Sequence, residues 1–431
     1  MISRIEAHNY RCFPRLSVDL GAYQVLAGAN GAGKTTLLDL IPLLGDMLTR
    51  RRVPDVFLQR PDGAGRPARA ATLEELPHRG SGDVIAFAVE AELPEPVTRE
   101  LAASSNSTPG RPVPTHVRYE LCLAISRHDL EVAEEYLFLF SSSGAAPASG
   151  EIPQGRPDDS GRLRHAAWQP AISREGRGTT RFTAETTTGD AEIPQVRVPP
   201  SRLALAAVLP DATLFPAALW LYQLLSEGVV FFDPEWDLLR QPAPPGDLPQ
   251  LLPSGRNLPW LALDLRRADP DRYASWVDHV RTALPQVVDI RPVEREEDRY
   301  AYFRVRHSGG YEVTSSGLSE GTLRILAYTL LPYLSSAVVP GLLVTEEPEN
   351  GIHPRAIETV MQSLSSVYDS QVWVSTHSPL ALAHTELTEV LIARLDSDGG
   401  VTVIPGHRHP RLADWQGSLD LGTLFAAEVL S

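Results

Sequence analysis

Lys34 is the only lysine in the chain; the other 38 of its 39 Lys/Arg residues are arginine. It sits in Gly28-Ala29-Asn30-Gly31-Ala32-Gly33-Lys34-Thr35-Thr36. A compact ammonium on a flexible stem fits inside a curled, glycine-rich backbone where a planar guanidinium does not. Such a loop turns its amides toward phosphate oxygens, its lysine toward the terminal phosphates and the following hydroxyl toward a divalent cation. Asn30, Gly31, Ala32, Gly33, Lys34, Thr35 and Thr36 are therefore the candidate residues of a nucleoside-triphosphate site. The same scarcity of lysine excludes other chemistry. A GTPase that reads guanine with an Asn-Lys-x-Asp loop needs a second lysine. A protein kinase needs its own phosphate-pairing lysine on a strand, and a pyridoxal enzyme needs a Schiff-base lysine.

Hydrolysis of a triphosphate also needs acids. Gly341-Leu342-Leu343-Val344-Thr345 reads as a buried strand that runs into Glu346-Glu347-Pro348-Glu349-Asn350-Gly351-Ile352-His353-Pro354. An apolar strand ending in paired carboxylates offers two roles. Glu346 would hold the water shell of Mg²⁺ together with the Thr35 hydroxyl, and Glu347 would orient and deprotonate the attacking water. The alternative is a solvated turn ahead of a helix, for which Pro-Glu-Asn-Gly is suitable chemistry. Upstream, Gly317-Leu318-Ser319-Glu320-Gly321-Thr322 places Ser319, Glu320 and Gly321 at a helix start, where an anion docks or where Ser319 is an ordinary N-cap. Downstream, an apolar strand at 371–374 leads to Ser375-Thr376-His377-Ser378-Pro379. His377 is then either a donor within reach of a γ-phosphate or a structural histidine.

These residues need elements to hold them. Apolar patterning predicts strands at 2–10, 16–20 and 23–27, with the glycine loop after the third and a helix over 34–48. Alternating segments at 84–93, 116–125 and 130–140 predict an antiparallel meander. From 141 to 200 the composition turns to Gly, Ser, Pro, Thr and charge, which predicts a long surface excursion, partly disordered. Helical periodicity covers 202–227, 257–265, 269–284 and 323–334, with strands at 229–233, 287–293 and 300–307. The 37 prolines, spread through the chain, exclude a long coiled-coil arm. Asp396-Ser397-Asp398-Gly399-Gly400 reads as a hairpin turn, not a metal pair. Arg50-Arg51-Arg52 and Arg266-Arg267 read as solvated helix ends.

The formal net charge is −15 and 43% of residues are hydrophobic, enough for one large or two ordinary domains. An acidic chain does not coat nucleic acid by bulk electrostatics, although a local arginine groove stays open to it. Two cysteines, Cys12 and Cys122, form no framework and match no metal spacing, which suits a reduced compartment. Met1–Glu6 lacks the pattern of a signal peptide, and no stretch approaches the roughly 18 apolar residues of a membrane span. A soluble, cytoplasmic protein is expected.

Phosphate loop, Ser-x-Gly helix start, strand with paired acids and strand with Ser-Thr-His follow one another in an order that resembles the ABC-type ATPase head. Ile5-x-x-x-Asn9-Tyr10-Arg11-Cys12-Phe13 is similar to the Asn-Phe-Arg-x-Phe opening of the RecF, SMC and OLD branch. The 346–354 and 375–379 motifs resemble those of RecF-like ATPases of the AAA kind that lack a Toprim nuclease domain. That group carries Leu-Ser-x-Gly-Thr-Leu-Arg where transporters have Leu-Ser-Gly-Gly-Gln, and here it is Leu318–Arg324. The resemblance spans 1–48 and 314–405 and extends weakly to 252–265. It implies an α/β P-loop NTPase fold with a mixed central sheet, an antiparallel β subdomain and an inserted α/β lobe. The head would be split between 1–140 and 314–431, with the lobe at 141–313 and the excursion at 141–200 inside it.

The resemblance also implies ATP and Mg²⁺ as cofactors and a homodimer in which ATP is sandwiched between heads. ATP on Gly28–Thr36 of one head would be covered by Ser319, Glu320 and Gly321 of the other, with Glu320 standing where the commoner signature has glycine. Glu346 would be the metal-side acid, Glu347 the catalytic base and His377 the γ-phosphate sensor. Arg11 would lie near the nucleotide, and Gln59 is the candidate for a metal-sensing glutamine. Two functions follow. One is an ATP-hydrolysing switch whose heads dimerise, or assemble further, in DNA repair or anti-phage defence, with DNA as partner. The other is a regulatory subunit with slow or negligible turnover that gates a separate effector such as a nuclease. OLD proteins carry a nuclease after the head; about 50 residues follow His377 here, too few for that domain, so cutting is expected of a separate partner.

Overall fold

Alternating apolar residues in the first half and continuous apolar runs in the second make two kinds of sheet. The computed structural model describes residues 1–59, 68–105, 112–126, 129–142, 146–158, 162–186, 193, 196–246, 249–396, 398–412, 420–427 and 429. In chain order the strands are β1 (Ile2–Tyr10), β2 (Phe13–Asp19), β3 (Tyr23–Ala27), β4 (Val84–Glu92), β5 (His116–Ser126), β6 (Asp129–Phe140), β7 (Gln169–Glu175), β8 (Arg181–Phe182), β9 (Val229–Phe231), β10 (Val287–Glu294), β11 (Ala301–His307), β12 (Glu312–Thr314), β13 (Leu342–Glu346), β14 (Gln371–Thr376), β15 (Val390–Leu395) and β16 (Val401–Pro405). Residues group into two compact units. The first comprises Met1–Gly21, Asp39–Gly228 and Arg394–Val403; the second comprises Ala22–Leu38, Val229–Ala393 and Ile404–Ser431. These boundaries differ from the expected division at 140 and 313, because the chain leaves the second unit just after the glycine loop and re-enters it at Val229.

In the first unit seven strands form one sheet in the order β2-β1-β4-β5-β6-β7-β8, every neighbour antiparallel. The expected meander is its middle. The 141–200 segment differs from expectation in its described parts. It supplies β7 and β8, and Trp168 is buried, stacked on Phe138 with ring centroids 4.5 Å apart. Buried carboxylates fasten it. Glu6 Oε1 accepts from the Gly150 amide at 2.6 Å, and Glu120 Oε2 accepts from the Gln154 and Gly155 amides, both at 2.8 Å. The opposite oxygens of Glu6 and Glu120 hold the Arg118 guanidinium at 2.7 Å each, with Glu90 as a third partner at 2.7 Å. A further buried carboxylate, Glu135, accepts from the Ala204 and Leu205 amides at 2.6 and 2.8 Å. The continuous helix expected over 202–227 is therefore replaced by a pinned turn and a shorter helix, Pro216–Ser226, which starts at the proline. The Asp396 turn is a hairpin turn as expected: Asp396 Oδ1 accepts from the Asp398 and Gly400 amides at 3.0 and 2.7 Å.

The second unit carries most of the candidate site residues. Its main sheet runs β16-β15-β3-β14-β13-β9, and from β15 to β9 every neighbour is parallel. Buried on both faces, β3, β13 and β14 are built on the apolar runs 25–27, 342–344 and 372–374, as parallel strands are. The helix Pro354–Ser365 joins β13 to β14 and buries Ala356, Ile357, Val360, Met361 and Leu364 along one stripe. The helices Leu258–Ala268, Pro270–Ala283 and Glu320–Leu330 pack into the same apolar core, around Trp276, Leu326 and Leu343. The small antiparallel sheet β10-β11-β12 completes the unit. Among the described residues no helix is long and apolar enough to cross a membrane.

Candidate functional site

Register brings the motifs to one edge. Glu346 on β13 pairs with Ser375 on β14, and Ser375 pairs with Leu26 on β3; Thr376 pairs with Ala27. Three parallel strands thus end level, and neighbouring strands lie about 4.8 Å apart. The carboxyl ends of such strands form the crevice where α/β folds bind ligands. Gly28 begins the glycine loop one residue past the end of β3. The loop needs its glycines: Gly31 and Gly33 have φ of +78° and +77°, and a Cβ on Gly28 would lie 2.4 Å from the Ala393 carbonyl oxygen. The helix after the loop is interrupted at Asp39, giving Lys34–Leu38 and Leu40–Thr49 in place of the single helix expected.

Lys34 is buried inside the loop it ends. Its Nζ donates to the carbonyls of Gly28 at 2.9 Å and Ala29 at 3.0 Å, and lies 3.4 Å from His377 Nδ1. Burial pushes its pKa below the ordinary lysine value, against the opposing pull of Glu347, Glu346 and Glu349. All three ammonium donors have a neighbour, so a phosphate entering the loop replaces one of them. The other face of His377 meets the acids: Nε2 is 3.0 Å from Glu347 Oε1. The histidine is one link in a line from Lys34 to Glu347. With Nδ1 facing an ammonium and Nε2 facing a carboxylate, its partners assign the proton to Nε2.

Glu347 itself has φ +44°, a left-handed conformation that costs a non-glycine residue roughly 1–2 kcal/mol. Its amide bonds the Ser375 carbonyl at 2.9 Å, its carbonyl accepts from the Asn350 amide at 3.0 Å, and Asn350 Nδ2 donates to Glu347 Oε2 at 2.6 Å. A strained residue held from three sides at a strand end is the kind of feature that marks a functional site. Glu346 precedes it at the end of β13, half-buried. Thr35 is exposed on the first turn after the loop.

Glu349 was not singled out from the sequence, yet it ties the two strand ends together. Its Oε1 accepts from the Thr376 hydroxyl and from the His377 amide, the latter at 3.3 Å. Its Oε2 is buried without a hydrogen-bond partner, and burial raises its pKa. The third acid of Glu-Glu-Pro-Glu was the available signal, but a contact between 349 and 377 follows from strand order, which sequence spacing does not give.

The signature segment lies in the same unit. Ser319 caps the helix Glu320–Leu330, accepting from the Thr322 amide at 3.2 Å. Gly321 is required by close approach, since a Cβ there would stand 2.7 Å from the Gly351 carbonyl oxygen. Glu320 bonds Arg324 at 3.0 Å, and that guanidinium lies 3.8 Å from the centre of the Trp236 ring. Arg11 and Gln59 belong to the first unit. Arg11 has φ +52°, and its carbonyl is 2.7 Å from His78 Nδ1; Gln59 caps the helix Val53–Leu58.

Among the described residues no group of three or more His, Cys, Asp or Glu could cage a metal. A hydroxyl and a carboxylate are hard oxygen donors of the kind Mg²⁺ takes when most of its ligands are water and phosphate. Thr35 and Glu346 fit that requirement.

Known proteins agree with this layout. Residues 201–383 match the family described as "AAA domain, putative AbiEii toxin, Type IV TA system". A solved structure, an Smc head bound to the C-terminal winged-helix domain of ScpA, superimposes with a TM-score of 0.50 at 12% identity, covering 94% of this chain and 96% of that one. The OLD nuclease of Thermus scotoductus is 40% identical over 62 residues, which is 14% of this chain and 12% of that protein's length. The fold is that of an Smc head. The expected α/β class is correct, with a parallel run of strands in the second unit and an antiparallel sheet in the first.

Proposed function

We propose that the chain is a Mg²⁺-dependent ATPase in which two heads close on ATP and part after hydrolysis. One observation carries the reading: His377 stands between the glycine-loop lysine and the left-handed Glu347, within 3.4 Å of one and 3.0 Å of the other. The loop from Asn30 to Thr36 would cradle the phosphates, with Lys34 leaving His377 or a loop carbonyl for the terminal phosphate oxygens. Mg²⁺, held by Thr35 and Glu346 with water and phosphate, would neutralise charge on the β- and γ-phosphates. Glu347 would take the proton of the attacking water as its oxygen bonds to the γ-phosphorus and the bond to the bridging oxygen breaks, releasing ADP. His377 would donate to the γ-phosphate as charge moves onto it.

Ser319, Glu320 and Gly321 would meet the nucleotide of a second head, which supports a homodimer and leaves room for larger assemblies. Arg11 and Gln59 are proposed at the nucleotide and at the metal, respectively. DNA is the proposed partner, with a role in repair or anti-phage defence. Steady-state phosphate release with and without duplex DNA tests the reading; no release above the Lys34→Ala level overturns it.

One observation favours the second function, a slowly turning regulatory subunit that gates a separate nuclease or other effector. Both Glu347 oxygens already have partners, His377 and Asn350. A carboxylate so engaged offers the attacking water only the remaining lone pair on each oxygen, which narrows its approach.

A further inference from the structure

Away from the nucleotide loop, the second unit has a cavity of about 280 Å³ whose lining includes Arg240, Arg295, Tyr302, Thr314, Ser315 and Ser316. Among the described residues that line it none is acidic, in a chain whose formal charge is −15. Its groups are donors with spare capacity. Arg295 gives Nη2 to Asp298 at 2.7 Å, while its Nε–H is buried without a partner. Arg240 lies 3.8 Å from the Asp237 carboxylate, beyond hydrogen-bond reach. The Tyr302 hydroxyl accepts from Arg304 at 2.9 Å, which leaves its own O–H to donate. Thr314 Oγ1 and Ser316 Oγ are 3.0 Å apart, so one donates to the other and the second keeps a free proton.

The walls are fixed in advance. Ser315 Oγ accepts from the Phe303 amide at 2.8 Å. Ala243 and Ala301 exchange two backbone bonds of 2.7 and 2.9 Å, tying the segment after Arg240 to β11. Two further arginines outside the lining, Arg291 on β10 and Arg304 on β11, pair in register and are already matched by Asp289 at 2.7 Å and Glu312 at 3.7 Å. Two guanidinium groups with convergent hydroxyls suit phosphate, whose oxygens only accept when fully ionised. The volume is near the lower bound of about 300 Å³ for small-molecule sites, which suits one or two phosphate groups and not a duplex.

We propose that this cavity binds a small phosphate anion, either free or as the terminal group of a small phosphate ester. Thr314–Ser316 run directly into Leu318 and the cap residue Ser319, so occupancy would stiffen the segment that leads into the signature helix. The proposal does not depend on hydrolysis at Glu347.

The test is calorimetric titration of inorganic pyrophosphate and of AMP into the full-length Lys34→Ala protein, in which the glycine loop cannot compete. Expected is saturable binding of one pyrophosphate per chain, weakened about tenfold or more by Arg295→Gln and, separately, by Arg240→Gln. Both side chains are about two-fifths exposed, so either change leaves the core intact. Tighter binding of AMP than of pyrophosphate supports the site and assigns an ester as its ligand; the reverse supports it and assigns the free anion. No saturable binding, affinity unchanged in both variants, or binding of duplex DNA in place of either small anion overturns the proposal. Retention of ATP binding by Lys34→Ala would count against the nucleotide site alone.

Discussion

Replacing Glu349 with alanine isolates what holds the histidine strand end. Glu349 Oε1 accepts from the Thr376 hydroxyl and the His377 amide, and Thr376 is fully buried, so water does not take over as acceptor. A hydrogen bond to an ionised group contributes about 1.5–3 kcal/mol. If that energy keeps His377 in line between Lys34 and Glu347, its loss lowers kcat about ten- to a hundredfold, at roughly 1.4 kcal/mol per decade. ATP affinity moves the other way. Glu349 is one of three carboxylates whose charge acts on Lys34, so its removal makes the loop more favourable to a polyanion and KM stays level or falls. Phosphate release by wild type, Glu349→Gln and Glu349→Ala gives the comparison, glutamine retaining one acceptor oxygen. The expected order of kcat is wild type, Gln, Ala. A kcat for Glu349→Ala within about twofold of wild type, or a loss confined to KM, refutes the positioning role.

Gly321→Ala puts a Cβ 2.7 Å from a backbone oxygen, and should destabilise the protein by about 1–3 kcal/mol, read as a shift in urea midpoint; an unchanged midpoint would show that Gly351 yields freely. Arg118→Met strands Glu6, Glu90 and Glu120 in the interior and should cost about 3–5 kcal/mol or more by the same measurement, whereas a loss below about 1 kcal/mol would contradict the buried network. Glu185 is buried against the Ala217 and Ala218 amides, and desolvation lifts its pKa from 4.5 to about 7. Between those values the folded state holds a proton that the unfolded state has lost, so stability falls as pH rises through that window, by up to about 3 kcal/mol. Glu185→Gln should flatten that slope in urea titrations from pH 4.5 to 7.5, and an unaltered slope would assign the effect elsewhere.

The phosphate loop and the strand ending in paired acids were legible because each is local: a turn that only glycine allows, and an apolar run that must be a buried strand. The line from Lys34 through His377 to Glu347 was not, since it depends on β14 lying between β3 and β13. Spacing along the chain carries no record of that order. The ordering of 147–156 and 196–205 was invisible for a related reason. The first is polar and proline-rich, as disordered chain is, and the second joins a Pro-Pro break to the start of a helical pattern, but their amides are held by Glu6, Glu120 and Glu135 on strands far away in sequence. Glu320 could be read only as a departure from the usual signature. In the structure its charge is matched by Arg324 four residues on, which itself stacks on Trp236.

The most direct measurement is the mass in solution of the Glu347→Gln protein with ATP and Mg²⁺. A chain of 47.1 kDa that closes head to head on unhydrolysed ATP gives a species of about 94 kDa, twice the chain mass, which falls back when nucleotide is removed. A protein that binds ATP yet stays at the single-chain mass would contradict the sandwich. One that hydrolyses ATP at the wild-type rate would contradict the role given to Glu347.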